Sequence, residues 1–174
     1  LHRSEHACFF FDSSPSSSRD TGKDFISVAS KLLSEPATSS DATSQRQLQA
    51  GVLMHVLRNL ALRSENKARF LTHPDMLLRL LSIFGSGSSR GNATTLPGHC
   101  PPFLVACSAA CLWALVFNNK RIVPMLKELH AGKMCSRALK MLKGHYAGRQ
   151  QYGAYEGALV LHVLTVLPKL RTWL

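Results

Sequence analysis

Acidic side chains are scarce over most of this chain. Residues 49–174 hold only four carboxylates, Glu65, Asp75, Glu128 and Glu156, each isolated from the others along the sequence. Catalysis by a carboxylate pair therefore has no pair to use. No serine or cysteine stands in a nucleophile-elbow context, and no phosphate-binding loop or dinucleotide glycine pattern occurs, so the sequence reads as that of a protein without an enzymatic activity. Long apolar runs are missing as well. The longest uncharged one, "FLVACSAACLWALVF" (103–117), falls short of the roughly 18 residues that a membrane span needs. The chain opens on Leu1, with no basic segment leading into an apolar run and a small-residue cleavage site, which reads as a piece of a longer protein with no signal peptide. Cysteine is sparse and odd in number: Cys8, Cys100, Cys107, Cys111 and Cys135. Small disulfide-stapled secreted domains are not built this way, and a reducing, cytoplasmic setting is the expectation.

What the chain does have is apolar material and positive charge. Hydrophobic residues make up 45% of it, enough to fill a sizeable core at this length. The net charge of +11 is unevenly placed: residues 1–48 carry five Lys/Arg against six Asp/Glu, whereas residues 49–174 carry sixteen against four. Between 119 and 150 stand Lys120, Arg121, Lys127, Lys133, Arg137, Lys140, Lys143 and Arg149, with Glu128 the only acid. Such a surface is strongly electropositive and attracts acidic partners.

Composition divides the chain. Ser/Thr/Pro/Asp-rich stretches at 12–20 and 35–45 bury too little to offset their ordering entropy and read as linkers. Residues 1–43 are thus expected to be mostly flexible, with one short helix near 24–34 whose apolar face holds Ile26, Ala29, Leu32 and Leu33. The domain proper is expected over 44–174, interrupted by a Gly/Pro-rich loop near 85–101. Within it the periodicity predicts a long helix over 44–64 capped by Ser44, with Leu48, Val52, His55, Val56, Asn59 and Leu60 along its apolar stripe. Short helices follow over 66–74 and 75–84, and then a long one over 101–119. A break at 118–123 leads to a helix from Pro124 ended by Gly132, then to an amphipathic helix over 133–146 and a final long helix over 152–174, kinked near Pro168.

These elements repeat. "HVLRNL" begins at His55, "ACLWAL" at Ala110 and "HVLTVL" at His162, spacings of 55 and 52 residues that join a long helix, a polar knot, a short helix and a medium helix into one unit. Units of two or three helices that bury their apolar faces on one another make a solenoid. The text Ala110-Cys111-Leu112-Trp113-Ala114-Leu115 followed by Asn118, and its counterpart Leu57-Arg58-Asn59-Leu60-Ala61, resemble the third helix of an armadillo repeat. That resemblance covers about residues 48–174. It implies an all-α, right-handed superhelical stack of armadillo/HEAT type, a protein-binding scaffold with no cofactor, and a place near the inner surface for Asn59 and for Asn118 or Asn119. The order of these texts together with "GAYEGALVLHVLTVL" is also similar to the C-terminal armadillo-type region of large centriole and basal-body proteins, which implies a role in building centrioles and cilia. The chain departs from the regular pattern in its long loop and in having "THPD" where a glycine usually separates the first two helices.

Individual residues divide between packing and function. Cys107 and Cys111 share a helical face near His99 and Cys100, but their alanine and leucine neighbours favour close helix packing over a metal. His55 and His162 read as core histidines bonded to backbone carbonyls, and Trp113 as core. Trp173 is either a partner anchor or a cover for the end of the last helix. On the helix from 133, Lys133, Arg137 and Lys140 fall on one face, opposite Cys135, Ala138, Leu139 and Leu142. With Lys120, Arg121, Lys127 and Lys143 they form the candidate partner-binding face. The expected occupant is an acidic protein segment, with nucleic acid second, because Tyr146, Tyr152 and Tyr155 are too few and too scattered to make a stacking platform.

Overall fold

The computed structural model describes residues 25–34, 40–85, 100–147 and 153–174, and among these residues there is no β-strand. The elements are α1 (Phe25–Leu32), α2 (Ser40–Ala61), α3 (Ser64–Leu71), α4 (Pro74–Gly85), α5 (Pro102–Val116), α6 (Ile122–Glu128), α7 (Ala131–Tyr146) and α8 (Ala154–Trp173). The described residues form an all-α structure, as the periodicity predicts. The expected linker at 12–20 and the loop residues 86–99 lie outside the described residues.

The three long helices lie side by side in the order α2, α5, α8, with α5 packed against both of the others. A second row, α1, α4, α7, covers the first: α4 packs on α1, α5 and α7, and α7 on α8. The short helices α3 and α6 link one row to the other. Position in this arrangement explains composition. Every residue of α5 from Leu104 to Leu112 and from Ala114 to Val116 is buried, as its nearly uniform apolar sequence requires. Small residues (Ala106, Ala109, Ala110, Cys107, Cys111) let five helices approach it at once. Its one buried hydroxyl, Ser108, donates to the Leu80 carbonyl of α4 at 2.6 Å, so no polar atom there goes unpartnered.

Several boundaries differ from the sequence reading, each for a local reason. Helix α2 starts at Ser40, so Ser44 is inside it and is not its cap. The polar knot Ser64-Glu65-Asn66-Lys67 is the first turn of α3, and Pro74 opens α4, where a missing N–H costs nothing. Pro124 sits in the first turn of α6 for the same reason; the break lies before it, at Asn118–Arg121. Helix α6 ends at Glu128, and the left-handed residue after it is His130, φ 56°, not Gly132. Gly132 instead lies in the first turn of α7, where a Cβ would stand 3.4 Å from the Leu174 backbone carbon. Helix α8 continues through Pro168 to Trp173.

The faces of α2 are also reassigned. Gly51, Met54, Leu57 and Ala61 point to α5 and are buried, while Leu48, Val52, Val56 and Asn59 point outward. Apolar residues wrap most of α2, so spacing alone does not choose which stripe is covered; the position of α5 does. On α1, Ile26 and Ala29 are buried, as is Leu33 just after it, but Leu32 is exposed.

Candidate functional site

The cation-bearing side of α6 and α7 is built by helical periodicity. Helix α7 turns Ala131, Cys135, Ala138, Leu142 and Tyr146 into the core. That places Lys133, Arg137, Lys140 and Lys143 on its solvent side, and all four are exposed. Helix α6 buries Ile122 and Leu126 and exposes Lys127. Lys120 and Arg121, in the turn between α5 and α6, are exposed too. None of these seven cations is paired with an acid among the described residues, and Glu128 is the only carboxylate in the stretch that carries them. No carboxylate among the described residues neutralises them, which is the condition for exchange with an acidic partner.

The asparagines do not share one environment. Asn59 is exposed in the last turn of α2, on the face of Val52 and Val56. Asn118 follows the end of α5 in the left-handed region, φ 54°, and Asn119 accepts the Arg121 backbone N–H through its side-chain oxygen at 3.3 Å. The two shape a turn: with α5 ended there, Lys120 and Arg121 are presented beyond its C-terminus.

The polar knot of α3 meets the end of α5. Lys67, almost fully buried in α3, donates its ammonium to the Phe117 carbonyl at the end of α5 and stands 5.9 Å from the Phe117 ring centroid. A cation at a helix C-terminus satisfies an orphan carbonyl and opposes the dipole. Burial holds the Lys67 ammonium below the usual lysine range.

The aromatic residues depart most from expectation. Trp113 is only partly buried: it packs against the edge of the core, beside the end of α8. There it stacks on Trp173, centroids 4.9 Å apart and planes 18° off parallel, and meets Phe117 at 5.8 Å. The histidines differ from the reading as well. His55 is half-buried and its Nδ1 shares a 2.8 Å hydrogen bond with the Tyr155 hydroxyl, which ties α2 to the start of α8. His162, half-buried on α8, is held below its ordinary pKa by burial and by the positive charge of Arg58. Tyr146 donates to Glu156 at 2.6 Å, closing α7 onto α8.

The thiols belong to the packing. Cys107, Cys111 and Cys135 are buried, and burial pushes each up to about 12. A thiol that keeps its proton is neither a nucleophile nor a metal ligand. No group of three or more candidate metal ligands converges among the described residues, and no helix there is long and apolar enough to cross a membrane. Compared with known proteins, the chain matches no family model, no curated protein and no solved structure.

Proposed function

We propose that this chain is a non-enzymatic interaction scaffold of armadillo type, which binds an acidic protein segment along the basic side of α6 and α7. The observation that carries the reading is the row of seven exposed cations without acidic partners among the described residues. Two further features support the repeat reading. The succession of a short, a medium and a long helix occurs twice, as α3–α4–α5 and α6–α7–α8, and the long helices pack in chain order. The narrower resemblance of "CLWALVFNNKRIVPMLK" and "GAYEGALVLHVLTVL" to the C-terminal region of rotatin, a large protein of centrioles and basal bodies, suggests a role in centriole or basal-body assembly and cilium formation, and a location at the centrosome or cilium base.

The test is triple charge reversal, Lys133→Glu, Arg137→Glu and Lys140→Glu. These side chains point to water, so the fold survives with a melting temperature no lower than that of the parent. Binding of a poly-glutamate peptide, measured by fluorescence anisotropy at low salt, is lost. Unchanged binding by the variant would show that the row is only a solvated face. Tighter binding of duplex or single-stranded nucleic acid than of the peptide, weakening steeply as salt rises, would favour the nucleic-acid reading instead.

A further inference from the structure

Both tryptophans of the chain lie in one patch at the end of the molecule where α5 and α8 terminate. Trp173, Trp113 and Phe117 form a file of three touching rings, and its two outer members are 41% and 45% exposed. Large aromatic rings left in water beside one another are uncommon except where a partner covers them. Exposed cations flank the patch. Three residues after Phe117 come the exposed Lys120 and Arg121. The end of α8 abuts the first turn of α7 at Gly132, which sets Trp173 and Lys133 on neighbouring turns of two touching helices. From Lys133 to Lys143 the row of cations runs about 15 Å along α7, the reach of roughly five extended residues.

We infer that this aromatic patch is the anchor pocket of the partner site: it receives an apolar side chain of an acidic protein segment whose carboxylates then run along the cations of α7. The inference rests on the scaffold reading above and names the chemistry of its partner, an acidic segment with one leucine or aromatic anchor. Charge complementarity selects the acidic flanks and the exposed rings select the anchor. A nucleic acid fits less well. Stacking platforms present several separate ring faces along a backbone, whereas here Trp113 and Trp173 close their faces on each other and form a single patch. The Lys67 ammonium beside Phe117 is already committed to the end of α5.

The tryptophans are their own reporters. Two synthetic twelve-residue peptides serve as probes, one with a Leu-Phe pair followed by aspartates and glutamates, the other with that pair replaced by Ser-Ser. The anchored peptide is expected to bind the parent chain roughly tenfold or more tightly than its control and to shift tryptophan emission on binding. Phe117→Ser and, separately, Trp173→Ser erase the difference between the peptides but leave weak, salt-sensitive binding of both. Far-UV circular dichroism identifies which of the two variants is folded and read. Equal binding of the two peptides with unmoved emission overturns the anchor and leaves the basic-face reading standing. Failure of both peptides to bind the parent at low salt overturns that reading too. A single-stranded oligonucleotide that quenches the tryptophans and displaces the anchored peptide overturns the choice of partner.

Discussion

At Cys107, Cys111 and Cys135 a small side chain is chosen for its volume and then inherits a titration. An ordinary thiol loses its proton near pH 9, whereas these three keep theirs to about 12 because burial opposes the thiolate. Between those values the unfolded chain sheds protons that the folded chain retains. Stability is therefore fully present below about pH 9 and falls as pH rises toward 12, by at most about 1.4 kcal/mol per pH unit for each thiol. Tyr155, also raised by burial, acts in the same direction. Lys67 opposes them: its lowered pKa means that folding gains as pH rises toward the ordinary lysine value. Three thiols outweigh one lysine. Urea midpoints are expected to decline between pH 9 and 10.5, and Cys107→Ala with Cys111→Ala flattens that decline. A parent whose midpoint stays constant over this range would show that the thiols reach water. Cysteines among alanines are legible in sequence as packing residues. The place of Trp113 is not, because an apolar helix buried nearly all round gives no sign of which residue meets its end partner.

Element boundaries follow from backbone chemistry, and most departures from the sequence pattern occur at glycine or proline. Gly132 reads as a stop and is instead a contact, while His130 and Asn118 take the left-handed turns without help from glycine. Gly51 carries the opposite lesson. It sits in the middle of α2, where glycine costs about 1 kcal/mol against alanine, and a Cβ there would stand 2.8 Å from the Phe103 ring of α5. That ring in turn leans on Tyr155, which is bonded to His55. Gly51→Val is expected to drive Phe103 into Tyr155, part α2 from α5, and lower stability by about 1 to 3 kcal/mol in denaturant melts, the usual range for overpacking. A variant as stable as the parent would mean that α2 can ride away from α5 freely. A glycine inside a helical pattern is the sequence signal of such a contact, yet the identity of the facing residue comes only from the packing.

For the whole molecule, charge is the dominant fact. A formal charge of +11 on 174 residues, with the cations of α6 and α7 unpaired among the described residues, makes the folded state repel itself. Added salt shortens the range of that repulsion to about 3 Å at 1 M. The melting temperature is expected to rise between low salt and 0.5 M sodium chloride. Each charge reversal removes two units, so the triple variant on α7 falls to +5 and responds less to salt. A parent insensitive to salt would mean that acids elsewhere already neutralise the row. The exposed Leu48, Val52 and Val56 of α2 and Leu161 of α8 fall on the outer helices of the α2–α5–α8 row.

The sequence by itself determined that the chain is helical, where most helices lie, that three long helices recur at near-equal spacing, and that α7 separates cations from core residues. Each of these depends on local periodicity, which a 3.6-residue turn converts directly into faces. Only the tertiary structure decided which stripe of α2 is covered, that Lys67 ends α5, and that Trp113, Trp173 and Phe117 gather into one patch. Those pairings join residues 50 or more positions apart or choose among several apolar faces of equal merit, and only the packing of helix on helix distinguishes them.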